Sequence, residues 1–170
     1  MKRSYLPRQF WALLGILVGI VLLCAIAASA QTPSIEGTYQ FVSRKLPDGT
    51  VLKPPDIMGL STITKTHINF NIVRKDATGK YASFSSVSTY KLTATEYSVT
   101  LLFSIRTDQI GGKDIIYDLS GKTQSVPVKM DGGRIQFKDP VVPRSQVYEG
   151  NTWTSTAEDN TNVDVWEKVQ

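Results

Sequence analysis

From residue 36 onward the chain is written almost entirely in period two, and this limits its fold more than any other feature. In "THINFNIV", Ile68, Phe70 and Ile72 share one face, and His67, Asn69 and Asn71 share the other. In "EYSVTLLFSIR" the apolar face is Tyr97, Val99, Leu101, Phe103 and Ile105. "QSVPVKM" and "GRIQFKD" repeat the pattern with Val126, Val128 and Met130, and with Ile135 and Phe137. Strict alternation places successive side chains on opposite faces of a strand, so each run predicts a strand with one buried face. The breaks are turn chemistry: "PDG" at 47–49, "DATGK" at 76–80, "IGGKD" at 110–114, "LSGK" at 119–122 and "DGG" at 131–133. Nine strands are expected, at 36–46, 60–64, 66–74, 81–93, 96–106, 114–119, 122–130, 133–138 and 163–169. Pro127 falls on an outward position, which suits an edge or a bulge because proline has no N–H for a ladder. Two connections are long, 47–59 and 139–162, and the second carries Tyr148 and Trp153.

Residues 1–30 read differently. Lys2, Arg3 and Arg8 precede an apolar run from Phe10 to about Ala28, and Ala28 and Ala30 then form an A-x-A site. This is the pattern of a secretory signal peptide, with Gln31 as the first residue of a mature domain spanning 31–170. The competing reading is an uncleaved anchor, since the run nearly matches the roughly 20 residues a spanning helix needs. Contact with a membrane is expected only in that case. Cys24 does not suit lipid attachment, because Leu22 and Leu23 stand where a small residue is needed.

Removing that segment changes the charge argument. The chain has 19 basic and 15 acidic residues, and the segment takes three basic ones with it, leaving 16 against 15. A domain near neutrality offers no electrostatic footprint for nucleic acid. The lone cysteine leaves too, so the expected domain has neither a disulfide nor a thiol chemistry and depends on its apolar core. Its 140 residues are enough for one such core. Short hairpins between successive strands favour an antiparallel up-and-down meander of about eight or nine strands, closed into a barrel so that no edge stays exposed. A two-sheet sandwich is the alternative.

The quoted pieces also carry a resemblance. "GTY" at Gly37–Tyr39, "DG" at Asp48–Gly49, "PP" at Pro54–Pro55, Gly59 before "LSTIT" and the closing "VWEKV" at Val165–Val169 fall in the order found in bacterial lipocalin-like domains. The domain therefore resembles that family, within the calycin group of small barrels. The resemblance implies a first-strand aromatic, here Tyr39, lying in the barrel floor, with a last-strand basic residue, here Lys168, covering it. Gly37 would let the entering chain cross the floor closely. Parity alone places Val163, Val165 and Val169 inward and Trp166 and Lys168 outward.

A barrel of this size is either packed solid or holds one small ligand. In "YASFSSVSTYKL" the inward set is Ala82, Phe84, Ser86, Ser88, Tyr90 and Leu92, and serines on an inward face both leave space and orient a ligand. The expected site for a small hydrophobic or amphipathic molecule is therefore Phe70, Phe84, Ser86, Ser88, Tyr90, Val99, Leu101 and Phe103, with Trp153 near one end. The segment 139–162 would act as a lid or as a plug. Catalysis has little support. His67, the sole histidine, sits on the polar face, and no nucleophile elbow, phosphate loop or paired carboxylates stand out. Without a second histidine or a cysteine in the domain no metal site is expected, and no cofactor. Glu158 and Asp159 read as solvated surface. The expectation is an exported, periplasmic or secreted, monomeric binding barrel. The alternative is a filled barrel that works through its surface in an envelope assembly or as an inhibitor.

Overall fold

The computed structural model describes residues 33–169; the expected signal segment, its cleavage point and Cys24 lie outside the described residues. Thirteen strands form one antiparallel sheet: β1 (Gly37–Lys45), β2 (Val51–Leu52), β3 (Ile57–Ile63), β4 (His67–Lys75), β5 (Tyr81–Leu92), β6 (Glu96–Asp108), β7 (Lys113–Asp118), β8 (Thr123–Pro127), β9 (Lys129–Asp131), β10 (Arg134–Lys138), β11 (Arg144–Glu149), β12 (Thr152–Ala157) and β13 (Val163–Val169). Their spatial order is β7-β6-β5-β4-β3-β1-β13-β12-β11-β10-β9, with β2 on β1 and β8 on β6. Neighbours in space are neighbours in sequence except that β3 pairs β1 past the short β2, β8 returns to β6, and β1 meets β13, which joins the first and last described strands. The sheet curls into a half-barrel around one core.

The two flanks of this half-barrel are bridged by the chain itself. β8 pairs with the first half of β6, through Glu96↔Pro127 and Tyr97↔Val126, and β9 pairs with β10, through Ile135↔Met130. The expected single strand at 122–130 is thus two strands with different partners. Pro127, which cannot donate to a ladder, ends the first of them. Across this seam Tyr97 and Phe137 stack with ring centroids 4.2 Å apart.

Two register shifts redirect faces. In β1, Phe41 pairs with Trp166 and Ser43 with Val165, so Val42 is unopposed. In β6, Leu101 pairs with Ser88 and Phe103 with Val87, so Leu102 is unopposed. An extra residue in one strand reverses the in-out parity beyond it. Tyr39 and Phe41 therefore face the core, and so does Arg44 three residues further on. Tyr97, Val99 and Leu101 face in, but Phe103 is 38% exposed and Ser104 is buried in its place.

The expected long loop at 139–162 is instead largely a hairpin. β11 and β12 pair from Arg144↔Ala157 to Glu149↔Thr152, turning through Gly150 and Asn151. Gly150 takes φ +57° at the first turn position, where glycine meets no steric penalty. The hairpin completes the sheet between β10 and β13, so Trp153 sits in the wall of the barrel, neither in a lid nor in a separate plug.

The last strand also differs from its sequence parity. Asp164 and Trp166 are buried, at 4% and 1% exposure, while Val163 and Val165 are only half-buried and Val169 is exposed. The indole has far more surface to remove from water than a valine side chain, and Asp164 finds cationic partners inside. Gly59 supplies the space: a Cβ there would lie 2.5 Å from Trp166 Cη2 and 2.9 Å from the Asn71 carbonyl oxygen. Tyr39 is buried as expected, donates its hydroxyl to the Ile35 carbonyl at 3.1 Å, and sits opposite Lys168 in the register. The Lys168 stem lies over Gly37, whose φ of +150° and missing Cβ leave room for it.

Candidate functional site

One wall of the half-barrel is a row of rings in direct cross-strand register. Tyr148 on β11 pairs with Trp153 on β12, Trp153 with Trp166 on β13, and Trp166 with Phe41 on β1. The first three lie nearly parallel, at 5.4 Å and 9° for Tyr148–Trp153 and 4.9 Å and 22° for Trp153–Trp166. Phe41 closes the row edge-on at 5.1 Å. Cross-strand aromatic pairs add to sheet stability beyond their buried area. A single polar contact orients the row: Trp153 Nε1 donates to Gln146 Oε1 at 2.8 Å, and Gln146 Nε2 donates to Asp139 at 3.2 Å. Burial raises the Tyr148 and Tyr97 hydroxyls far above the usual tyrosine value, and pushes half-buried Tyr90 up to about 12, so all three stay neutral at physiological pH.

The facing wall, β4 to β6, is built in rows of unequal size. Ile72, Phe84 and Arg106 form one row; Phe70, Ser86 and Ser104 the next; Ile68, Ser88 and Leu101 the third. The middle row places two small residues beside one ring, and the wall recedes there. Phe70 crosses the interior to reach Trp166 at 5.3 Å and Trp153 at 6.0 Å. Between the two walls lies a cavity of about 790 Å³. Ligand pockets run to about 300–1,000 Å³, so this space is large enough for a small molecule.

Six of the nine expected site residues line this cavity: Phe70, Phe84, Ser86, Ser88, Val99 and Trp153. Three do not. Phe103 is turned outward by the Leu102 bulge. Leu101, though buried, is not part of the lining. Tyr90 packs at the core's edge, 6.0 Å from Tyr97, with its hydroxyl donated to the Thr64 carbonyl at 2.7 Å. Sequence reasoning did not choose Tyr97, Phe137, Tyr148, Trp166 or Gln146 as lining residues. Alternation already placed Tyr97 and Phe137 inward. For Trp166 the aromatic itself was the better signal than the valine alternation around it.

The mouth is polar. Arg44 and Asp164, opposite each other on β1 and β13, form a two-point ion pair, Nε to Oδ1 at 2.6 Å and Nη2 to Oδ2 at 2.7 Å. Arg144 Nη2 approaches the same Oδ2 at 3.0 Å, and this arginine also donates to Ser155 Oγ, to the Ser155 carbonyl and to Asn162 Oδ1. Burial lowers the Arg144 pKa from its usual value, while Asp164 opposes that shift. Asp139 nearby is raised by burial, against the N–H groups of Val141 and Val142 that hold its Oδ1. His67 lies outside this space, exposed, with Nδ1 2.8 Å from Thr66 Oγ1. Among the described residues no three His, Cys, Asp or Glu side chains come together as metal ligands.

No protein-family model and no curated protein matches the chain. Among solved structures, the chain is similar to an uncharacterized protein from Bacteroides eggerthii at 16% identity, over 80% of this chain and 100% of that one, with a TM-score of 0.30.

Proposed function

We propose that this chain is an exported, lipocalin-like binding protein that takes a small hydrophobic or amphipathic molecule into the space between its two walls. The observation that carries this reading is the cavity of about 790 Å³ between the aromatic row and the serine-bearing wall. Affinity would come from apolar ligand surface removed from water, at about 25 cal/mol per Å². Ser86 and Ser88 would select orientation. Export rests on the basic, apolar and A-x-A order of residues 1–30.

The second reading, a protein that works through its surface, has one observation in its favour. Edge strand β7 and the turn after it expose Ile115, Ile116, Tyr117 and Leu119, each more than half accessible. Such an edge invites pairing with another chain. Native mass spectrometry of the protein purified from its own host separates the two. The binding reading predicts a polypeptide starting within a residue or two of Gln31 and carrying a retained small molecule. Bare polypeptide mass, together with no response of tryptophan fluorescence to 1-dodecanol, would favour the surface reading instead.

A further inference from the structure

Arginine and lysine are segregated in this domain. Four of the five arginines in residues 33–169, Arg44, Arg74, Arg106 and Arg144, line the cavity, and none of the eleven lysines does. The two cations differ in what they recognise. A guanidinium is a planar fork that meets a planar acid at two points, whereas an ammonium is a compact, strongly hydrated point charge.

The carboxylates in the same lining all have partners. Asp164 holds Arg44 and Arg144. Asp139 accepts from Val141, Val142 and Gln146. Glu158 pairs with Lys138 at 3.2 Å, Asp159 accepts the Thr161 hydroxyl at 2.7 Å, and Asp108 accepts the Gly111 N–H at 2.8 Å and faces Lys113. Among the described residues, Arg74 and Arg106 have no carboxylate within salt-bridge distance. They flank β5 from its two sides. Arg74 is opposite Ala82, and Arg106 is opposite Phe84, two residues along the same inward face. Between them stands the small Ala82, with Asp108 opposite it on β6 and engaged by the Gly111 N–H. The Arg106 guanidinium lies 5.3 Å from the Phe84 ring centroid, so its charge stands directly beside the apolar lining.

We infer that the ligand is an acidic amphipath, an apolar chain or ring system ending in a carboxylate, with the acid held by Arg74 and Arg106 at the mouth and the apolar part lying against Phe84, Phe70 and Trp153. This rests on the binding reading above and adds the head group to it. Among the described residues, these two unmatched guanidinium groups are the only cations in the lining without an acidic partner. Arg106 is exposed and Arg74 half-buried, so both are open to an acid group arriving from water.

The test compares dodecanoate with 1-dodecanol, which share a tail and differ at the head, by tryptophan fluorescence on the full mature domain. The acid should bind about tenfold tighter or more, the worth of a charge-assisted contact. Arg74→Gln and Arg106→Gln should each remove most of that advantage, with an unfolding midpoint like the wild type's showing that each variant is folded. Equal affinity for acid and alcohol in the wild type would overturn the inference while leaving the container intact. An acid preference that survives in both variants would overturn the assignment to these arginines. Binding of neither compound would remove the binding reading itself, and the inference with it.

Discussion

The two walls of this half-barrel were built by opposite means. On β11–β13 and β1, each strand contributes one large ring to a single row, and the rings touch each other across the register. On β4–β6 the rows are unequal in size, and in the middle one Ser86 faces Ser104 beside Phe70. Close-packed interiors leave few voids larger than a water molecule. A cavity of hundreds of cubic ångströms therefore needs a wall that recedes and another rigid enough not to collapse into it. The aromatic row supplies the rigidity and the serine wall supplies the space.

Breaking the rigid wall should have the largest effect. Trp166→Ala removes a ring that is 1% exposed and touches Phe41, Phe70 and Trp153, and should cost about 3–5 kcal/mol in denaturant unfolding. Tyr39→Ala should fall in the same range, since its ring meets both Tyr148 and Trp153 at 5.8 Å. A loss under 1 kcal/mol for either would mean that the row is not a structural unit. At the mouth, Asp164→Ala strands two arginines that are 18% exposed, and should cost about 3 kcal/mol or more at low salt. Asp164→Ala should also lose less in high salt, because screening relieves the repulsion left between Arg44 and Arg144.

Acid titration sharpens the contrast between buried and turn carboxylates. In Asp159 and Asp76 the hydroxyls of Thr161 and Thr78 lead in holding the folded pKa below 3.8. The stability they contribute is present above that value and is lost as pH falls through the lowered folded pKa. Asp139 has the opposite sign. Its raised folded pKa makes ionisation costly in the native state, so its contribution improves as pH falls through that raised value toward 3.8. Unfolding midpoints of Asp159→Ala and wild type should therefore converge as pH drops below 3.8. A gap that stays constant would rule out the turn contribution.

The smallest effects separate the faces. Ser61 Oγ is buried without a hydrogen-bond partner, so Ser61→Ala should be neutral or slightly stabilising. His67→Ala, on the exposed face of β4, should stay within about ±0.5 kcal/mol.

The receding wall was legible in sequence, because β4 and β5 alternate without interruption and the serines fall at inward positions. β6 was legible only as far as Leu101. Nothing in "TLLFSI" marks which residue bulges, so Phe103 was assigned to the wrong face. The aromatic wall was harder to read for a different reason. β11 and β12 bury Gln146 and Ser155 alongside Tyr148 and Trp153, and polar residues at inward positions erase the apolar alternation by which strands are recognised. Their polar groups are satisfied by Trp153 Nε1 and Arg144, partners that meet them only once β11 and β12 have folded into a hairpin. Asp164 carries no inward signal of its own: a carboxylate faces inward only because Arg44 and Arg144 arrive from two other strands.

The most direct test of the two-wall account is Ser86→Leu, read by stability and by capture of a neutral apolar probe together. Ser86 lines the cavity on the receding wall, opposite Phe70 and Ser104. If the space between the walls is empty and used, the leucine fills it: 1-dodecanol binding weakens, and stability is unchanged or raised. If the interior is packed solid, the same change overpacks the core and costs about 1–3 kcal/mol, with no probe binding in the wild type to lose.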